Sequence, residues 1–333
     1  MFGVHFLGDG KISIDEIPTP KPNGKNVVVK VTAAGICGTD RHPLLEEGQK
    51  TIPGHEIAGK IVEVDKPSWA RVGDRVAINC HITCRACEHC LNGDLYFCNQ
   101  LQVPGYEWDG GFAEYLLIPE DNCHPLLDDI SYETGALIVD VLGTAFRAVK
   151  RAGLKPGDQV AVWGAGPIGF EAAAVATFLG ARVAVFDMNP YRQEMAAKYN
   201  HPELILDPTD KDTEAKILDW TSGRGIEVGF ECVGNEKAAH QALKMIKKRG
   251  ILAIIGVSHS LTVDPWEMIQ RELTIYASRN FNTHEFNEMV SMIRKGLWAE
   301  KVVTHRYPLK DAEKAFEVFL SENCGKIILT GSC

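Results

Sequence analysis

No apolar run in this 333-residue chain is long enough to span a bilayer. Residues 171–179, the clearest apolar stretch, fall well short of the ~20 residues a spanning helix requires. Residues 1–10 have neither the basic start nor the apolar core of a secretory leader, so the expected location is cytoplasmic. Positive charge is scarce: 35 Lys and Arg stand against 44 Asp and Glu, giving a formal net charge of −9 and a pI near 5.7. That balance argues against nucleic acid or an anionic membrane as partner. There is no fixed-period repeat and no low-complexity segment. What remains is an ordinary globular composition, 45% hydrophobic and 24% charged. The length suits two domains of roughly 100–200 residues. Cysteine, by contrast, is plentiful. There are ten, and Cys84, Cys87, Cys90 and Cys98 fall within fifteen residues. In a reducing compartment such a cluster points to a metal rather than to disulfides.

The first third of the chain reads as β structure. Residues 27–31 and 57–64 are rich in β-branched side chains, and Gly24, Gly35, Gly38, Gly54 and Gly73 punctuate them as turns. The pattern changes near residue 135. Strands are expected at 160–163, 182–186, 227–231 and 251–255, alternating with helices at 170–179 and 237–248. Such alternation predicts an α/β unit, a parallel sheet with helices on both faces. A last helix is expected at 286–295 and a last strand at 326–330. If that strand returns to the first domain, the first domain is discontinuous.

Gly164-Ala165-Gly166-Pro167-Ile168-Gly169 follows the strand at 160–163 and opens a helix, and Asp187 lies 18 positions beyond Gly169. Gly-rich loops are common, but this context is the one a dinucleotide needs. Gly164 permits the tight turn, Gly166 lets backbone approach a pyrophosphate, and Gly169 allows close packing of helix on strand. The helix that Pro167 and Ile168 open offers the free N–H groups of its first turn to phosphate, Pro167 itself having none. Asp187 would accept hydrogen bonds from the adenosine ribose and repel a 2′-phosphate, favouring NAD over NADP. Arg192 either lies over the adenine or is simply solvated.

The spacing Cys84-x2-Cys87-x2-Cys90-x7-Cys98 suits four tetrahedral thiolates on one zinc, a closed site that holds a loop together and leaves no coordination position for chemistry. An iron–sulfur cluster also takes four cysteines, but the spacing differs from the ferredoxin patterns. A second constellation is Gly35-Ile36-Cys37-Gly38-Thr39-Asp40-Arg41-His42 with Gly54-His55-Glu56. If these loops converge, Cys37 and His55 reach one metal, and a catalytic zinc keeps a position open for water or substrate.

With these motifs in view, the chain resembles the zinc-containing medium-chain alcohol dehydrogenases over essentially its whole length. The resemblance rests on GICGTD with His42, on GHE, on the four-cysteine lobe, on Gly110-Gly111-Phe112-Ala113-Glu114-Tyr115, and on the Gly164–Gly169 motif. Within the family the polyol and L-threonine 3-dehydrogenase branches are most similar, through His81-Ile82-Thr83-Cys84, Asp187-x-Asn189-x-Tyr191-Arg192 and Thr304-His305-Arg306. The resemblance implies a discontinuous GroES-like, mostly β catalytic domain (residues 1–141 and 281–333) and a Rossmann NAD-binding domain (142–280). It implies two zincs per chain, one catalytic and one structural, NAD as cofactor, and a homodimer or homotetramer. It assigns Cys37, His55 and Glu56 as catalytic-zinc ligands, with Asp140 either a ligand itself or just outside, acting through water. Thr39 would take the substrate's hydroxyl proton and pass it by way of the cofactor ribose to His42, and Asp40 would orient His55 through its free ring N–H.

The expected reaction is hydride transfer between NAD and a small polar secondary alcohol (a polyol, sugar derivative or cyclitol) and its ketone. The alternatives are an L-threonine 3-dehydrogenase and, outside enzymes, an NAD-binding structural or sensor protein on the same fold. His81, Glu107, Arg279 and Arg306 are candidate polar contacts for a substrate. Asp65 stands where the family pattern has glycine, which Asp tolerates in a left-handed backbone. The segment between His42 and Gly54 is short for a threonine dehydrogenase.

Overall fold

The structure is a computed structural model describing residues 1–257 and 260–331. Its strands are β1 (Phe2–Gly8), β2 (Lys11–Glu16), β3 (Asn26–Gly35), β4 (Glu56–Val64), β5 (Arg75–Ile78), β6 (Tyr115–Pro119), β7 (Cys123–Pro125), β8 (Gln159–Trp163), β9 (Arg182–Phe186), β10 (Leu204–Leu206), β11 (Ile226–Glu231), β12 (Ile246–Ile254), β13 (Thr274–Ala277), β14 (Val303–Pro308) and β15 (Lys326–Thr330).

β8 to β13 form one parallel sheet in the order β10-β9-β8-β11-β12-β13. Counted within the sheet this is 3-2-1-4-5-6, the doubly wound order that binds a dinucleotide where the strand order reverses. Every residue of β8, Gln-Val-Ala-Val-Trp, is buried, as a strand covered on both faces requires. The helix expected at 237–248 stops at Met245, and β12 already begins at Ile246. Ile246 pairs with Ile226, and the register then slips, so that Val228 faces Ile251. A β-branched residue buried in a sheet overrides the helical pattern of the lysines that follow it.

The other large sheet runs β14-β15-β3-β4-β5-β7, with β6 also on β3. β15 pairs antiparallel with the end of β3, Ile328 facing Gly35 and Leu329 facing Ala34. The end of the chain thus completes the sheet that the beginning started. Val27, Val29 and Val31 turn to a core shared with Ile57, Ile61, Val76 and Ile78. Phe316 packs edge-on against Phe6 and Phe112, at 5.2 and 5.7 Å between ring centroids. Burying each such ring contributes about 1.5–3 kcal/mol.

The chain divides into two units, Met1–Asp140 with Phe281–Val290 and Val303–Cys333, and Val141–Asn280 with Ser291–Val302. The last segment corrects the expected boundary, which gave all of 281–333 to the first domain. Trp298 explains the difference: its ring N–H donates to Asn200 Oδ1 at 2.9 Å, and Leu297, Ala299 and Val302 beside it are buried. Asp65 is not in the left-handed region. Its carboxylate instead accepts the Gly24 N–H at 2.9 Å and closes a turn. Among the described residues no helix is long and apolar enough to cross a membrane.

Candidate active site and metal centres

β3 ends at Gly35, and two residues later Cys37 begins a single helical turn, Gly38–Asp40. The Cys37 N–H donates to Asp40 Oδ2 at 2.8 Å, which fixes the turn that carries Thr39. β4 opens with Glu56 directly opposite Gly35. A Cβ on Gly35 would lie 2.1 Å from Glu56 Oε2, so only glycine lets this carboxylate lie across the strand. His55 precedes it, and Asp140 stands between the helices Tyr132–Ile138 and Val141–Ala152. Residues far apart in sequence are thereby gathered within the first unit.

Cys37, His55, Glu56 and Asp140 each bring a ligand atom into a group whose members all lie within 4.8 Å of one another. Asp140 Oδ2 is 3.5 Å from Cys37 Sγ and 3.7 Å from His55 Nε2. A tetrahedral zinc with ~2.0–2.3 Å bonds spaces its ligand atoms roughly 3.3–3.8 Å apart. Glu56 is fully buried; its Oε1 accepts from Lys326 Nζ at 2.6 Å, while Oε2 has no hydrogen-bond partner. Burial pushes the Cys37 thiol up and raises Glu56 to about 7, in spite of Lys326. Burial also works against charge on Asp140, yet His55, 3.7 Å away, holds it well below the usual carboxylate range. Buried thiol, imidazole and carboxylates with an orphaned oxygen make a donor set that fits a divalent cation.

Asp40 faces the other ring nitrogen of His55. Its Oδ1 lies 3.8 Å from His55 Nδ1, an ion-pair distance longer than a hydrogen bond, while its Oδ2 holds the Cys37 turn. Thr39 is exposed on the turn and His42 on the short helix Arg41–Leu45 that follows, with His42 Nδ1 3.3 Å from Glu46 Oε2.

The four-cysteine lobe is local. Cys84 Sγ lies 3.9 Å from Cys90 and 3.5 Å from Cys98, and Cys87 Sγ lies 3.6 Å from Cys90, close to the edges of a tetrahedron around zinc. Backbone N–H groups point at the sulfurs: Cys87 N–H to Cys84, and Cys84 and Gln100 N–H to Cys98, each at 3.3 Å. N–H donors from Asn99 and Cys90 lower the Cys87 thiol to about 6, favouring the thiolate a metal needs.

In the second unit, Gly164 adopts φ +88°, and a Cβ there would press on Val233 at 2.9 Å. A Cβ on Gly169 would fall 1.7 Å from the Gly164 carbonyl oxygen, whereas one on Gly166 would meet only Arg192, at 3.9 Å. The open space at Gly166 is what a phosphate approaching the helix Pro167–Phe178 requires. Asp187 is tied to this turn: its oxygens accept from Ala165 N–H at 2.6 Å and Asn189 N–H at 2.8 Å.

Three of the proposed polar contacts have structural partners. Arg306 makes two 2.6 Å hydrogen bonds to Glu133, Glu107 accepts the Val103 N–H at 2.9 Å, and Arg279 donates to Asn280 at 3.1 Å. His81 is buried, its Nε2 3.7 Å from Cys80 Sγ. Sequence reasoning missed Lys326, which is buried and also donates to the Ile36 carbonyl at 2.8 Å. A lone lysine opening the apolar strand Lys-Ile-Ile-Leu-Thr was the available signal. It also missed Tyr106, whose ring lies 5.6 Å from that of His55.

Residues 23–128 match the family model for the alcohol dehydrogenase GroES-like domain, and residues 167–295 match that for zinc-binding dehydrogenases. The L-threonine 3-dehydrogenase of Coxiella burnetii (strain RSA 493 / Nine Mile phase I) is 36% identical over 330 residues, 95% of either chain. The chain belongs to the zinc-containing alcohol dehydrogenase family. Solved members of that family superpose over nearly the full length. The alcohol dehydrogenase from Thermus sp. ATN1 has a TM-score of 0.94 at 27% identity, with 100% of both chains covered. The 2R,3R-butanediol dehydrogenase from Bacillus subtilis has a TM-score of 0.90 at 28% identity, with 99% of both chains covered. As a member, the chain is an oxidoreductase acting on alcohols, with zinc and a nicotinamide cofactor. A non-enzymatic role on the same fold is set aside.

Proposed function

We propose that the protein oxidises a small polar secondary alcohol to its ketone, reversibly, with NAD as hydride acceptor. The observation that carries this is the convergence of Cys37, His55, Glu56 and Asp140 within 4.8 Å, with Thr39 on the turn that Cys37 begins. Cys37, His55 and Asp140 would hold the catalytic zinc, which when bound supplies Lewis-acid polarisation of the substrate oxygen. Asp140 thus takes the ligand place that the family resemblance gives to Glu56. Lys326 neutralises Glu56 at 2.6 Å, so one thiolate and one carboxylate remain to balance a divalent charge. Cys84, Cys87, Cys90 and Cys98 would hold the structural zinc. Thr39 accepts the hydroxyl proton, and His42, three residues on and exposed, passes it to solvent.

In the second unit Gly164, Gly166, Pro167, Ile168 and Gly169 would receive the pyrophosphate and Asp187 the adenosine ribose, with Arg192 beside Gly166. The negative charge of Asp187 disfavours a 2′-phosphate, so NAD is the better cofactor. Self-association would use β13, an edge strand, together with the exposed Val257, Trp266 and Ile269. Light scattering of Ile269→Glu against the wild type tests it.

L-threonine is the second reading for the alcohol, favoured by the 36% identical L-threonine 3-dehydrogenase. The short segment between His42 and Gly54 weighs against it. NADH formation with polyols, cyclitols, sugar acids and L-threonine, using NAD and NADP in parallel, tests the whole reading. No turnover with any alcohol, or a preference for NADP, would overturn it.

A further inference from the structure

Tyr106 sits on a short loop whose backbone is fixed from several sides. Its N–H donates to the Val103 carbonyl at 3.0 Å, and its carbonyl accepts from Thr51 Oγ1 at 2.8 Å. The neighbouring Gly105 carbonyl accepts from Gln49 Nε2 at 2.9 Å. Gly105 has φ +88°, and a Cβ there would meet the Gly54 nitrogen at 2.8 Å, so the loop lies directly on the backbone that leads into His55. That contact sets the Tyr106 ring beside the His55 ring, 5.6 Å between centroids and tilted by 35°. The residue nevertheless stays 38% exposed. Its phenol interacts with the Thr39 side chain. An aromatic side chain held by its backbone, bordering a metal cluster and only partly buried is built to meet a ligand rather than to fill a core.

We propose that Tyr106 is a specificity-determining residue of the alcohol site, its phenol hydrogen-bonding a second polar group on the carbon next to the one oxidised. The inference rests on the reading of Cys37, His55 and Thr39 as the place where the reacting oxygen binds. A hydroxyl adjacent to Thr39 reaches a group adjacent to that oxygen. A phenol both donates and accepts, so it serves a vicinal hydroxyl or an amino group alike. A substrate without such a group forgoes the contact with the phenol and gains nothing in its place.

The test compares wild type with Tyr106→Phe, which removes one oxygen from a partly exposed ring and leaves zinc content and melting temperature unchanged. Butane-2,3-diol and L-threonine carry the second polar group; butan-2-ol and 3-hydroxybutanoate are their respective parents without it. The wild type should prefer one of the first two. In Tyr106→Phe the kcat/KM for that alcohol should fall about tenfold, chiefly through KM, while that for its own parent stays within about twofold. The same split should be seen in binding of the alcohols to the enzyme–NADH complex, followed by NADH fluorescence. Equal losses on the preferred alcohol and its parent, or no loss on either, overturn the role of Tyr106. A wild type that oxidises none of the four sinks the underlying assignment of the site instead.

Discussion

The four-cysteine lobe and the Cys37 cluster each gather four ligand atoms within 4.8 Å, but by opposite means. The lobe does it locally: turns between Cys84 and Cys98 bring the sulfurs together, and neighbouring N–H groups point at them. Four like ligands leave a metal no open position. The Cys37 cluster draws its ligand atoms from a β-strand end, a second strand start and a helix junction. It mixes thiol, imidazole and carboxylate, and it is buried. A set of uniform thiolates suits a fastening; mixed donors of different charge, with Lys326 cancelling one of them, leave room for a substrate oxygen.

If that contrast is correct, the two sites fail differently. Cys37→Ala should lower turnover on the order of 10³-fold while NAD affinity stays within about twofold, because the dinucleotide motif lies in the other unit. Steady-state kinetics and cofactor titration measure both; a parallel loss of NAD affinity would break the division of labour. Cys98→Ser should release one of two zincs and cost about 2–5 kcal/mol of stability, leaving the Cys37 site loaded. Metal analysis with thermal unfolding checks it, and two retained zincs with an unchanged melting temperature would refute the closed-site reading.

A finer cut separates the two carboxylates of the Cys37 cluster. Under mild chelation Asp140→Asn should empty the catalytic position. Glu56→Gln should keep its zinc, with affinity weakened by about 10–100-fold. The reverse result would return Glu56 to the ligand set.

The smallest effect concerns His124, near the root of the lobe. Stacked on Phe286 at 4.4 Å, it is lowered to about 4 from 6.5 by burial and then by the charge of Arg85. The folded state therefore refuses a proton that the unfolded state accepts below pH 6.5. The stability this histidine allows is complete above that pH and is lost as pH falls toward 4. Between pH 7 and pH 5 the loss should be about 2 kcal/mol. Urea unfolding of wild type and His124→Phe at both pH values isolates it, since only the wild type should carry this share of the slope.

The sequence by itself determined whatever lies within a few dozen residues. The cysteine spacing defined the lobe, because turns of two or three residues have few geometries. Gly164, Gly166, Gly169 and Asp187 defined the dinucleotide turn, because strand, loop and helix follow one another in the chain. The return of 326–330 to the first sheet was open to reading, since an isolated strand after an α/β unit needs a partner. Only the tertiary structure decided what depends on distant residues meeting. That Lys326 is paired with Glu56 and that Tyr106 borders His55 follow from the packing of segments tens to hundreds of residues apart. Side-chain partners across such separations are chosen by sheet register and loop contact, here Gly35 against Glu56 and Gly105 against Gly54. Those contacts leave no periodic or local trace in the order of residues.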